Sequence, residues 1–187
     1  MSEKEHPLHS AWGLWYDSKK TGASNNWEEG LIQVQNFSTV EDFWIMMNHI
    51  KRPGSLEVGS NYHLFKQGIK PMWEDSANQN GGKWIVTLTL KEDLFRLDQI
   101  WEDILLALVG ETLDDGENIA GIVLGKRRSL VKLAIWTKSR DDVEANMTIG
   151  ERLRKTLAVS PSVAVEYYSH ADVNNAAQAT PTPVLKA

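Results

Sequence analysis

Two tryptophans stand where a hydrophobic ring has little core to enter. Trp27 and Trp73 fall in segments whose Gly, Asn, Ser and Pro content predicts loops. Trp73 belongs to Lys70-Pro-Met-Trp-Glu-Asp75, so the carboxylate of Glu74 directly follows the ring. Residues 131–136 alternate with period two: Val131, Leu133 and Ile135 make one apolar face, and Lys132, Ala134 and Trp136 make the other. The turn before them, Lys126-Arg-Arg-Ser129, adds Arg127 and Arg128. Alone, such a basic turn is ordinarily a solvated surface. Combined with loop tryptophans and an acid, it has the parts of a nucleotide site. A base stacks on indole, worth roughly 1–3 kcal/mol per base. A carboxylate accepts hydrogen bonds from a guanine edge, and Arg and Lys hold phosphates. Guanine methylated at N7 is cationic, so its stacking gains a cation–π component that plain guanine lacks.

Composition narrows the classes. The chain has 187 residues, 42% of them hydrophobic and 24% charged, which fits one soluble domain. Lys and Arg number 20 against 25 Asp and Glu, a net charge of −5. A protein that grips nucleic acid by neutralising many phosphates is usually basic, so RNA binding here would need a small local site. Eight tryptophans (Trp12, Trp15, Trp27, Trp44, Trp73, Trp84, Trp101 and Trp136) exceed what core building usually takes, because each buried indole N–H needs a partner. There is no cysteine, and His6, His9, His49, His63 and His170 show no metal-ligand spacing. With no phosphate-cradling Gly-rich loop and no dense acidic motif, no enzymatic activity, metal or cofactor is expected. The polar N-terminus and the lack of a long apolar run point away from secretion and membranes, towards a cytoplasmic or also nuclear protein.

The elements that would position these residues read as α+β. Strands are expected at 8–17, 30–37, 61–67, 84–90, 119–125, 130–138 and about 163–168, with helices at 39–50, 93–109 and about 142–157. Thr39-Val-Glu-Asp42 is a capping-box-like helix start. Phe43, Met46, Met47 and Ile50 then share a core stripe, with Val40 and Trp44 at its edge. Trp44 is either a core-margin ring or an exposed anchor for a partner. On the second helix Leu94, Leu97, Trp101, Ile104, Leu105 and Leu108 face the core, while Phe95 and Leu106 lie off it beside Glu102. Leu106 and Trp44 could together form a docking patch for an amphipathic helix. Residues from Ala171 onward predict a disordered tail.

Several longer stretches form recognisable motifs: His6-Pro-Leu8 with Trp12 and Trp15, and Thr39-Val-Glu-Asp-Phe-Trp44. They continue with Leu64-Phe-Lys-x-Gly-Ile-x-Pro-Met-Trp-Glu-Asp75, Gly81-Gly-Lys-Trp84, Ala134-Ile-Trp-Thr137 and Ser169-His-Ala-Asp172. In these stretches the chain resembles the cap-binding translation initiation factor 4E family. The resemblance runs from about His6 to Asp172, with flexible tails at 1–5 and 173–187. It implies a single domain, a curved antiparallel sheet of about eight strands with three helices on its convex face and a slot on its concave face. It further implies that Trp27 and Trp73 sandwich the methylguanine of capped mRNA, that Glu74 reads the base edge, and that Trp136 lies near the N7-methyl. Arg127 and Lys132 would hold the triphosphate, with additional contacts from Lys83 and Arg128. On the convex side His6, Pro7, Val40, Trp44, Glu102, Leu106 and Gly110 would receive an initiation factor 4G-type scaffold or a 4E-binding repressor. Lys83 stands where the family usually has Arg, Ser129 where a basic residue is frequent, and Glu102 at a usually apolar position. The alternative role is that of a cap-binding paralogue in repression or mRNA storage with a non-standard partner.

Overall fold

The computed structural model describes residues 5–18, 27–114, 117–175 and 181–187, with the backbone alone at Trp27 and 173–175. Among these, the strands are β1 (Pro7–Asp17), β2 (Ile32–Thr39), β3 (Asn61–Lys66), β4 (Gly82–Thr89), β5 (Ile119–Lys126), β6 (Leu130–Thr137), β7 (Val165–Ser169) and β8 (Leu185–Lys186). They form one curved sheet in the order β2-β1-β3-β5-β6-β4-β7-β8, with antiparallel pairing throughout. The helices are α1 (Val40–His49), α2 (Leu90–Asp93), α3 (Leu97–Val109), α4 (Val143–Leu157) and α5 (His170–Asn175).

Period-two alternation decides which face is covered. Trp84, Val86 and Leu88 of β4 lie opposite Ile135, Leu133 and Val131 of β6, and Ile135 and Leu133 lie opposite Ile122 and Leu124 of β5. These rows are buried and join one core with Phe43 and Met46 of α1, Leu97, Trp101 and Ile104 of α3, and Ile149 and Leu153 of α4. The three long helices therefore share one side of the sheet, as the alternation predicts. Local chemistry starts two of them. Thr39 Oγ1 accepts from the Asp42 N–H at 3.1 Å, and Asp142 Oδ1 accepts from the Ala145 N–H at 3.1 Å, satisfying N-terminal donors.

Three expectations change. The helix expected at 93–109 is interrupted: α2 gives way to a 3-10 turn at Leu94–Arg96 before α3 begins. The tighter turn re-phases the side chains, so Leu94, expected in the core, is 48% exposed. Short helices α2 and α5 supplement the three expected. Residues 181–187 also depart from the expected disordered tail. Leu185 pairs with Tyr167 and packs on the core, and the Arg154 guanidinium donates to the Ala187 and Val163 carbonyls. Leu185 and Ala187 supply the apolar contact with the core, while Val184 stays exposed.

Candidate functional site

The uncovered face of the sheet carries the residues left over by the alternation. Lys132, Ala134 and Trp136 of β6, Lys83 and Ile85 of β4, Val123 and Gly125 of β5, and Asn61 and His63 of β3 floor a cavity of ≈ 610 Å³. Its rim is the 71–74 stretch, bringing Trp73 and Glu74 over the floor, and Arg127 stands at the end of β5. Of the residues expected at this site, Trp73, Glu74, Lys83, Arg127, Lys132 and Trp136 thus converge on one cavity. Arg128 is exposed and does not line it. The Trp27 side chain lies outside the described residues, although its backbone opens the 3-10 turn Trp27–Gly30.

The rim is held by hydrogen bonds of its own. Asn78, fully buried, donates from Nδ2 to the carbonyls of Lys70 (3.0 Å) and Met72 (2.8 Å). Asp75 accepts from the N–H groups of Lys70 and Ala77, each at 2.9 Å. Gln79 Nε2 donates to the Glu74 carbonyl at 2.9 Å, which occupies the Glu74 backbone and leaves its carboxylate directed by the turn. These bonds hold Trp73 at 47% exposure, an apolar ring kept in water by its loop. Lys70 Nζ reaches Glu28 Oε1 at 2.9 Å, so the rim loop is tied to the turn that carries Trp27. Glu28 raises the Lys70 pKa in return. The acidity beside Trp27 thus has a structural partner.

On the floor, Trp136 is wedged edge-on against Phe65 (5.5 Å between centroids, 76° between planes) and lies 4.2 Å from the His170 ring. Lys83 Nζ sits 5.5 Å from the Trp136 centroid. Burial, and then the nearby Lys132 charge, lower the Lys83 pKa. An anion brought between these two ammonium groups would relieve both costs. Burial, then Lys83, push His170 down to about 4 from 6.5. A base that is neutral when folded but protonated when unfolded removes stability as pH falls from 6.5 towards 4. We expect a loss approaching about 3 kcal/mol over that window, measured by urea denaturation at stepped pH. His170→Gln should flatten the slope; an unchanged slope would mean that other groups carry it.

Sequence reasoning missed Asp17, Asn61 and His63. His63 Nε2 and Asp17 Oδ2 are 2.6 Å apart, with both side chains at 8% exposure or less. Asn61 Nδ2 donates to Asp17 Oδ1 at 2.6 Å, and Arg127 Nη1 donates to Asn61 Oδ1 at 3.0 Å. The available signal was the polar positions Asn61 and His63 alternating with Tyr62 and Leu64, which marks them as facing the open side. Lys126, from the same basic turn as Arg127, turns away and donates to the Pro53 and Gly54 carbonyls.

On the helical side Val40, Trp44 and Leu106 are 38–39% exposed. Trp44 packs its edge on Phe43 (5.2 Å, 69°) and shows the remainder to solvent. His6 and Pro7 are strapped to this surface. The Val40 N–H donates to the His6 carbonyl, Pro7 lies opposite Thr39, and Glu41 accepts from the His6 N–H (3.0 Å) and ring (2.6 Å). These bonds hold the Glu41 carboxyl down at about 2.

One curved antiparallel sheet, helices packed on one side and an aromatic, cation-lined slot on the other define a recognised class of protein. The chain belongs to the eukaryotic initiation factor 4E family, whose model matches residues 7–183. It is 40% identical over 169 residues to human eukaryotic translation initiation factor 4E, covering 90% of this chain and 77% of that protein. The Candida albicans factor is 43% identical over 183 residues, covering 97% and 87%. Against Drosophila melanogaster factor 4E1 (42% over 168 residues, 90% of this chain) the match spans 64% of the relative's length. Among solved structures, C. elegans eIF4E-3 in complex with the 4E-binding protein Mextli and a cap analog superposes with a TM-score of 0.88 at 37% identity, covering 98% of this chain and 100% of that one. Ascaris suum eIF4E-3 with the m7G cap gives 0.89 at 37% identity, covering 98% of both.

Proposed function

We propose that this protein binds the 7-methylguanosine cap of mRNA in the slot and acts in translation initiation. The observation that carries the reading is the juxtaposition of Trp73 and Glu74 on a hydrogen-bonded rim above Lys83, Lys132, Arg127 and Trp136. Trp73 stacks on the methylated base, with Trp27 supplying the second ring, and Glu74 accepts from the Watson–Crick edge. Trp136 lies beside the methyl group. Arg127 and Lys132 hold the triphosphate, with Lys83 as a further cation. The cap-bound relatives support this assignment. Titration with 7-methyl-GTP should quench tryptophan fluorescence strongly, and GTP should do so weakly. Equal responses would remove the charge-selective stacking.

The convex surface of Val40, Trp44 and Leu106, bordered by His6, Pro7, Glu102 and Gly110, is proposed to receive the 4E-binding segment of a scaffold or repressor. An amphipathic helix fits such a patch, and Glu102 favours one carrying a complementary base. Trp44→Ala should abolish capture of such a partner while leaving cap quenching intact. Undiminished capture would place the docking surface elsewhere.

A further inference from the structure

The floor of the slot contains a hydrogen-bond chain with a fixed direction. His63 Nε2–H donates to Asp17 Oδ2 (2.6 Å), Asn61 Nδ2 donates to Asp17 Oδ1 (2.6 Å), and Arg127 Nη1 donates to Asn61 Oδ1 (3.0 Å). Strand register makes the chain possible. Asp17 and Asn61 are direct partners across β1 and β3, and His63 is two residues along β3 on the same face. Asp17 and His63 are nine-tenths buried and Asn61 is half-buried.

Because an ionised carboxylate only accepts and a guanidinium only donates, the amide between them can sit one way round. Asp17 takes the NH2 of Asn61, and its oxygen is left to face Arg127. We propose that Asp17 and Asn61 are positioning residues for Arg127, and that this relay, anchored on the buried Asp17, sets affinity for the phosphates of the ligand. The inference rests on the assignment of Arg127 to the triphosphate. Arg127 Nη1 is fully engaged, by Asn61 and by the Lys126 carbonyl at 3.0 Å. Among the described residues those two of a guanidinium's five N–H donors are used, which leaves the Nη2 pair and Nε for a phosphate. Gly125 keeps the space: a Cβ there would stand 2.8 Å from Asn61 Oδ1 and 3.2 Å from Arg127 Nη1. Without the relay the guanidinium would swing into solvent, and binding would have to re-order it.

The test compares 7-methyl-GTP with 7-methylguanosine, the same base without phosphates, by fluorescence titration of the full chain. In the unaltered protein the triphosphate should bind more tightly. No preference there would refute the phosphate role of Arg127 itself, and the relay proposal with it. Asn61→Leu deletes the acceptor, and Asp17→Asn removes the obligate one, allowing the Asn61 amide to reverse and turn its NH2 towards Arg127. Each should weaken 7-methyl-GTP five- to tenfold more than it weakens 7-methylguanosine, narrowing the triphosphate-to-nucleoside preference by that factor. The double variant Asp17→Asn/Asn61→Asp exchanges carboxylate and amide, rebuilds the direction of the chain, and should restore most of the preference. A preference unchanged in the single variants, equal weakening of both ligands, or no recovery in the double variant would each overturn the proposal.

Discussion

Glu74→Ala is expected to weaken 7-methyl-GTP binding about a hundredfold or more while leaving the thermal midpoint nearly unchanged. The side chain is exposed, and among the described residues it makes no hydrogen bond or ion pair within the protein, so its loss removes little folding energy. With the base stacked in the slot the situation reverses. The guanine donors are desolvated and need an acceptor, and each charge-assisted bond to a carboxylate is worth about 1.5–3 kcal/mol. Two lost bonds exceed two factors of ten at about 1.4 kcal/mol per factor. Glu74→Gln separates charge from geometry: it keeps one acceptor oxygen, places an NH2 against a donor edge, and should recover little. Binding of the alanine variant within threefold of the parent would refute the edge-reading role.

Trp84→Ala should remove a large fraction of the protein's stability. Trp84 is fully buried between β4 and α4. Its Nε1–H donates to the Asn146 carbonyl at 2.9 Å, and its ring lies against Gly150, where a Cβ would approach to 2.5 Å. The helix has no side chain there to fill the hole. Truncating a buried tryptophan costs about 3–5 kcal/mol, out of a total stability of about 5–15 kcal/mol for a domain of this kind. Trp84→Phe keeps most of the volume but loses the indole hydrogen bond to the Asn146 carbonyl, at about 0.5–1.5 kcal/mol. Urea midpoints should therefore fall in the order parent, phenylalanine, alanine. A phenylalanine variant as stable as the parent would show that the indole N–H contributes nothing there.

Trp73 and Trp84 also show how far the sequence can be read. Trp73 was legible as a ring outside the core because a Pro-containing loop offered it none, and it is exposed on a hydrogen-bonded turn. Trp84 had no comparable mark: its place depends on the glycine at position 150, far away in the chain. The two-faced pattern of β6 was likewise visible, since alternation is local. The break at Leu94–Arg96 was not, because Arg96 is held by the Leu157 and Ala158 carbonyls at the end of α4, a contact made only after folding. Asp17 escaped notice for the same reason. Its significance appears only when β1 lies beside β3.

Strand β6 divides its side chains strictly, with Val131, Leu133 and Ile135 in the core and Lys132, Ala134 and Trp136 in the slot. A strand used on both faces cannot tolerate a shift by one. Inserting or deleting one residue within it would carry a lysine into the hydrocarbon interior and leucine into the slot, damaging the core and the slot together. Substitutions can tune either face separately, but changes of length cannot. Over evolutionary time this segment should therefore vary in residue type while its spacing stays constant, with insertions and deletions confined to the loops at either end.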